Sequence, residues 1–408
     1  MGAIRSATLV ATGQIMLAPQ TPALEPPDRL LLGPGPSEVH PRVLRAMSSP
    51  LVGHLDPAFL AIMNDVQDLL RYAFRTGNRW TIPVSGTGSA AMEAAFANLV
   101  EPGDTVLVPS NGYFGDRMDS MARRAGGEVV RVAAPWGRPL DPEDVRAALD
   151  AHRPAVFGFV HAETSTGVLQ PDVSALTSMA HEAGALVIAD AVTSLGGVEL
   201  EVDAWELDVV YSGAQKCLSC PPGASPLTLT DDAFGRIRRR REPARSWYLD
   251  IGLLEGYWGN ERSYHHTAPI SNVYALREAL RLVAEEGIEE RWSRHRRVAG
   301  ALKSGLTAMG LVMLADDAWW LPSLSAVRVP EGVDAKRVTT RLLTEHGIEI
   351  AGGLGDLAGR ILRIGCMGHA CRPGNVLRVL ATLGAVLRSE GAAVDVAAAL
   401  SAAEMALD

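Results

Sequence analysis

Short apolar runs recur along the first half of the chain, at residues 105–109, 129–133, 155–161, 185–190 and 209–212. They are often β-branched and too short for helices. Each therefore predicts a parallel strand buried on both faces. Between them, residues 90–100, 117–125, 142–151 and 173–182 carry apolar positions at helical spacing. Repeated strand-helix units predict an α/β fold: an open, doubly wound, mostly parallel sheet with helices on both faces. Ligands of such sheets lie beyond the carboxyl ends of the strands, so chemistry is sought just after each one.

The pattern changes near residue 275. A long helical periodicity runs from about 273 to 311. Apolar runs at 327–329, 348–350 and 361–364 then alternate with helical stretches at 336–345 and 373–389. This predicts a small C-terminal α+β domain following the large one. The expected division is an N-terminal arm at 1–28, a large domain at 29–288, a small domain at 289–390 and a tail at 391–408. The alanine-rich tail reads as a frayed helix. The arm ends in the proline-rich stretch 19–27 and could lie across a partner subunit.

Composition narrows the function. The chain has 408 residues, 47% hydrophobic and 21% charged, which excludes a disordered polymer. A net charge of −9 offers no basic field for nucleic acid or anionic lipid. No apolar run approaches the ~20 residues of a membrane-spanning helix. The opening MGAIRS fits the loose myristoylation pattern, a short motif that matches by chance. Thr12, Gln14 and Gln20 interrupt any secretory apolar core. Four cysteines in a chain this long read as reduced thiols of a cytoplasmic protein, not a disulfide framework.

Two strand ends carry the chemistry. The run 185–189 leads into Asp190, and 209–212 leads into Gly213-Ala214-Gln215-Lys216. A buried lysine of depressed pKa is the usual Schiff-base nucleophile. An acid facing a pyridine nitrogen keeps that ring protonated. Pyridoxal phosphate requires this pairing. The two residues alone are equally consistent with a helix-capping aspartate and a surface lysine. Ser85-Gly86-Thr87-Gly88-Ser89 before a helix suits a phosphate. Phe114 follows one strand and could stack on a planar ring, and Thr164 follows another and brings a hydroxyl.

Together these segments resemble the class V pyridoxal-phosphate-dependent aminotransferases of fold type I. The likeness is closest to the alanine–glyoxylate (serine–pyruvate) aminotransferases. It is carried in order by LLGPGPSEVHPRVL, SGTGSA, HAETSTGVLQP, ADAVTSLGG, SGAQKCLSCPPG, YHHTAPI and ILRIGCMG, over residues 31–387. The resemblance implies that Lys216 bonds covalently to the cofactor and Asp190 pairs with its ring nitrogen. Thr87, Gly88, Ser89 and Gln215 would lie at its phosphate, Phe114 would stack on its ring and Thr164 would sit near its ring oxygen. Tyr264 and Thr267 would reach the phosphate of the other subunit of a homodimer. Arg363 would clamp the substrate carboxylate and Gly35 would line the substrate pocket. The implied activity moves the amino group of alanine or serine to glyoxylate or pyruvate by ping-pong steps through pyridoxamine phosphate.

His54 falls where substrate is expected, and a histidine packed at the entrance would explain it equally well. The ureidoglycine–glyoxylate aminotransferases tend to have glutamine there, and asparagine at the place of Tyr264. Both departures argue against ureidoglycine as donor. Transamination of 2-aminoethylphosphonate or a lyase reaction remains as a rival on the same scaffold. A non-catalytic regulatory protein is the rival of another class, opposed by the set Lys216, Asp190 and Arg363. Cys217 and Cys220 form a CxxC, but Cys366 and Cys371 are wrongly spaced for a second zinc knuckle, so no metal is expected. His265 and His266, as sequence neighbours, are expected to point apart and to be structural. The basic run at 236–241 is read as a solvated helix face.

Overall fold

The computed structural model describes residues 21–408. The MGAIRS match and the residues that interrupt a secretory core lie outside them. Residues 21–28 are exposed and without regular structure.

Seven strands form the central sheet. They are β1 (Trp80–Gly86), β2 (Thr105–Ser110), β3 (Glu128–Ala133), β4 (Val156–Val160), β5 (Leu186–Asp190), β6 (Val209–Tyr211) and β7 (Gly223–Leu229). Their order is β1-β7-β6-β5-β4-β2-β3. Only β7 runs antiparallel to its neighbours, so the sheet is mixed and mostly parallel. The five runs read as strands from the sequence appear with ends shifted by one residue or so. The run at β3 is not buried as expected, because that strand lies at the sheet edge and each of its residues is partly or fully exposed. In the central strands apolar continuity has a direct cause. In β4, Phe157 and Phe159 face one core while Val156 and Val160 face the other. In β5, Val187 and Ala189 oppose Ile188 in the same way.

Strands β1 and β7 are not apparent from periodicity. Their sequences, WTIPVSG and GASPLTL, mix glycine, serine and proline with apolar residues. Pro83 and Pro226 stand opposite one another in the pair. Neither can donate to the ladder, so propensity alone argues against both strands.

Helices cover the faces: α1 (Pro57–Phe74), α2 (Gly88–Leu99), α3 (Tyr113–Ala125), α4 (Pro142–His152) and α5 (Val173–Glu182). The long periodicity from 273 is two helices, α6 (Ile270–Glu286) and α7 (Ile288–Ala308). Gly287, at φ 88°, breaks them, and the apolar stripe continues across that single residue. Beyond α7, three strands form a second sheet: β8 (Leu324–Arg328), β9 (Ala351–Gly352) and β10 (Ile361–Gly365), ordered β8-β10-β9. Helices α8 (Ala335–His346) and α9 (Pro373–Ser389) pack with it. Leu30 and Leu32 join this second core rather than the first, because Leu30–Leu31 pairs in parallel with Ile348–Glu349.

Two expectations change. The tail is not frayed: α10 (Val396–Leu407) is capped by the Asp395 side chain and buries Ala399 and Ala403 completely. Its alanines let it approach α7 closely. Nor is the basic run wholly solvated. Arg236 donates to the Leu99 carbonyl at 2.8 Å and Arg240 to the carbonyls of Asn98 and Val100 at 2.8 and 2.9 Å. Both therefore occupy the negative end of the α2 dipole.

A glycine in α7 tests the seating of the tail. Alanine in place of a helix-interior glycine ordinarily stabilises by about 1 kcal/mol. At Gly305 the added methyl would lie 3.0 Å from the Ala399 carbonyl oxygen and against Leu380. Overpacking costs about 1–3 kcal/mol. Gly305→Ala is therefore expected to lower the thermal midpoint; a rise would show that neither α9, through Leu380, nor α10 packs closely there.

Candidate active site

The parallel strands end along one edge of the sheet, and the predicted residues gather there. Asp190 closes β5 and stands opposite Tyr211 of β6. Its Oδ1 accepts from the Val192 N–H at 2.8 Å and its Oδ2 from the Tyr211 hydroxyl at 2.9 Å. Burial pushes its carboxyl up to about 6, and these two hydrogen bonds oppose the rise. Lys216 lies in the turn after β6. Burial, reinforced by the charge of Arg363, pushes its ammonium down to about 8. Its Nζ donates to the Pro34 carbonyl.

The turn at Gly35 admits no other residue. Its φ is 114°, and a Cβ would sit 2.8 Å from Lys216 Cδ and 3.1 Å from Nζ. Next to it, Ser37 donates its hydroxyl to the Lys216 carbonyl at 2.6 Å and its N–H to the Gln215 carbonyl at 2.8 Å. The glycine-proline segment is thus fastened onto the lysine turn.

Helix α2 begins at the end of β1. Thr87 is its N-cap, but its hydroxyl makes no capping bond, so first-turn N–H groups remain open. The amide oxygen of Gln215 is buried without a partner. A Cβ on Gly88 would lie 3.5 Å from the Gly213 Cα, so these two turns touch. Open N–H groups and a dipole end suit a bound phosphate, whereas the buried Gln215 oxygen, itself an acceptor, calls for a donor. Phe114, in the first turn of α3, has the Arg117 guanidinium 4.8 Å above its ring. Arg117 also donates to Ser89 Oγ at 3.3 Å.

Arg363 comes from the middle of β10. It is buried, and its guanidinium donates to the carbonyls of Gly352 at 2.8 Å and Thr164 at 3.2 Å. Burial pushes it down to about 10. Among the described residues it has no carboxylate ion-pair partner, so its positive charge is available to an incoming anion. The Thr164 hydroxyl pairs with that of Thr193.

Three of the predicted residues lie elsewhere. Tyr264 is 63% exposed, Thr267 is exposed, and the partly exposed His54 ring is 5.2 Å from that of Tyr264. His265 and His266 do not point apart as expected: their Nδ1 atoms are 2.8 Å from each other. His266 also reaches Ser85 Oγ at 2.6 Å, which pins that loop to β1, and Trp247 stacks on His265 at 4.3 Å. Burial pushes His266 down to about 4. Among the described residues no three His, Cys, Asp or Glu side chains converge as metal ligands.

Periodicity and motif left several contributors unread. Tyr211 holds Asp190, Thr193 pairs with Thr164, and Arg117 covers Phe114. Glu163 is fully buried beside them, where burial pushes its carboxyl up to about 7. The spacing of Phe114 and Arg117, three apart on one helix, was the available signal for that pair. A carboxylate just past an apolar strand was the signal for Glu163.

The sequence model of the family described as Aminotransferase class-V matches residues 30–372. The crystal structure of alanine–glyoxylate aminotransferase from Nostoc sp. is 52% identical, covers 90% of this chain and 98% of its own, and superposes with a TM-score of 0.88. The (S)-ureidoglycine–glyoxylate transaminase of Bacillus subtilis is 43% identical over 395 residues, covering 92% of this chain and 95% of the relative. The structure of ureidoglycine–glyoxylate aminotransferase from Bacillus subtilis gives a TM-score of 0.92 over 94% of this chain and 99% of its own, at 44% identity. Pyridoxamine–pyruvate aminotransferase from Mesorhizobium loti, at 30% identity, covers 93% of this chain and 97% of its own with a TM-score of 0.89. With a buried lysine and aspartate after the strands of a fold type I scaffold and a buried arginine from its second sheet, the chain belongs to the class-V aminotransferases and is a transaminase.

Proposed function

We propose that this transaminase uses pyridoxal phosphate to move the amino group of a small amino acid, alanine or serine, to glyoxylate or pyruvate. The observation that carries the reading is the convergence of Lys216 and Asp190, at the strand ends of the large sheet, with Arg363 of the second sheet, which has no carboxylate partner among the described residues. The cofactor supplies a covalent seat for an amine and a ring that accepts an electron pair. Each neighbouring residue then has a task suited to its surroundings. The open first turn of α2, with Thr87, Gly88 and Ser89, would hold the phosphate, with Gln215 beside it able to donate only through its Nε2. Phe114 would pack on the ring. Asp190, kept anionic by Tyr211 and Val192, would hold the proton of the ring nitrogen. Thr164 would sit near the ring oxygen.

Arg363 binds the carboxylate shared by donor and acceptor, which its planar fork matches. A pKa of about 8 leaves Lys216 Nζ able to take the α-proton of the donor and return it near neutral pH. Gly35 leaves that amine room to swing. Donor and acceptor use the same pocket in turn, so the kinetics are ping-pong.

The active unit in this reading is a homodimer. Exposed Tyr264, Trp247, Tyr248 and Leu253 are large apolar side chains that a partner subunit would cover, and Tyr264 and Thr267 then reach the partner's phosphate end. His54, beside Tyr264, belongs to the same shared wall. Residues 29–288, apart from the Leu30–Leu32 segment that joins the second core, act as the cofactor-binding domain, and 289–390, with the tail seated on them, as the domain that brings Arg363. Among the described residues no helix is long and apolar enough to cross a membrane. The four free, buried cysteines support a reducing, cytoplasmic setting.

The deciding experiment records the absorbance of the purified protein before and after L-alanine. Loss of the long-wavelength cofactor band, with return on adding glyoxylate, is expected. A yellow protein that responds to (S)-ureidoglycine and ignores alanine and serine would transfer the donor to the ureido class. Lys216→Ala is expected to bind cofactor without a covalent link and to lose turnover; retained turnover would refute the lysine's role.

Tyr211 sets the acid limb. Its hydrogen bond to the Asp190 carboxylate is of the charge-assisted kind worth about 1.5–3 kcal/mol. A group whose pKa rises keeps its proton to higher pH, so Tyr211→Phe should move the acid limb of kcat/KM upward by about one to two units. An unmoved limb would mean that Asp190 does not control it.

A further inference from the structure

Glu163 is the ionisable group at this site that the mechanism leaves idle, and its bonding is unusual. It is fully buried. Its Oε1 accepts from the N–H and hydroxyl of Ser165 at 3.0 and 2.6 Å, and its Oε2 accepts from the N–H of Phe114 at 3.1 Å. Ser165 Oγ in turn accepts from the N–H of Tyr113 at 3.0 Å. Tyr113 and Phe114 are the first two residues of α3, whose N-cap, Gly112, has no side chain to cap with. The helix is therefore capped from a different loop, by Glu163 and Ser165. Gly112 makes room for this: a Cβ there would lie 2.5 Å from Glu163 Cδ and 2.6 Å from Ser165 Oγ. A carboxylate at a helix N-terminus is also favoured by the dipole, which offsets part of its burial.

Thr164 sits between the two capping residues. Its carbonyl accepts from Arg363, and its hydroxyl pairs with Thr193. The same short loop thus grips the Phe114 turn on one side and the guanidinium on the other.

We propose that Glu163 is a positioning residue for transamination: its carboxylate ties the Phe114 turn to the Thr164 loop, and so sets the ring-stacking face against the substrate-carboxylate clamp. This rests on the function proposed above. The requirement is for two acceptor oxygens. Glutamine keeps the size of the side chain but offers one acceptor, so its NH₂ must confront either the Phe114 N–H or the Ser165 N–H. One arm of the tie is then lost while the loop keeps its packing.

The experiment compares wild-type holoenzyme with E163Q, F114A and the double variant. The readouts are KM and kcat for L-alanine, visible circular dichroism of the bound pyridoxal phosphate, and thermal melting. Misplacement by about 1 Å can cost some 10²-fold in rate. E163Q should lower kcat/KM by about 10- to 100-fold, chiefly through KM, and should alter the cofactor dichroism. Because Glu163 acts partly through Phe114, the double variant should lose less than the product of the single losses. S165A removes only the Oε1 hydroxyl bond and should move the same readouts in the same direction by less. It serves if E163Q does not fold.

A lowered melting point with wild-type KM and dichroism would overturn the proposal and leave Glu163 a structural cap. So would losses from E163Q and F114A that multiply independently. A wild-type protein with no cofactor band would instead overturn the function itself, and this assignment with it.

Discussion

The whole arrangement depends on keeping an amine, two carboxylates and a guanidinium out of water at one sheet edge. Each buried ion costs several kcal/mol of desolvation unless its hydrogen bonds are met. Burial alone moves Lys216 down and Asp190 and Glu163 up, toward their neutral forms. The surrounding chain then sets how far each moves. Tyr211 and Val192 hold Asp190 back, and Ser165 and Phe114 hold Glu163 back. Lys216 donates to a carbonyl; the charge of Arg363 pushes it further down, and those of Asp190 and Glu163 hold it back. Opposing shifts in one pocket separate an acceptor of protons from a holder of charge.

That pocket exists because strands from distant parts of the chain end together. Six parallel strands align their carboxyl ends, and β7 inserts antiparallel between β1 and β6. This insertion sets the start of α2 against the turn before Lys216, where the Gly88 and Gly213 backbones meet. Arg363 arrives from a separate sheet, whose core is held partly by Leu30 and Leu32. The segment bearing Gly35 follows those leucines directly, so one stretch of chain both seals the second core and packs against Lys216.

Much of this was legible. The central strands announce themselves because both faces are buried, which leaves no polar position to interrupt them. Asp190 and Lys216 stand out because charged residues end apolar runs. The outer elements were not legible. Strands β1 and β7 contain proline and glycine that local preference assigns to loops, and only pairing with each other and with β6 makes them strands. The tail looked frayed because alanine carries little apolar area. It is seated by close approach to α7 at Gly305 and by burial of Ala399 and Ala403, which no local pattern reveals.

By itself the sequence determined the parallel α/β core, the lysine and aspartate at its strand ends, and the family. Each is encoded by residues close together in the chain, where periodicity or spacing is enough to read them. Tertiary structure alone decided which groups support them. Tyr211 becomes the partner of Asp190 through strand register. His265 and His266 turn toward each other because Ser85 and Trp247 hold them there. Glu163 becomes the cap of a helix that begins fifty residues earlier. Burial and hydrogen-bond partners are properties of segments brought together in space, and no window of sequence contains both members.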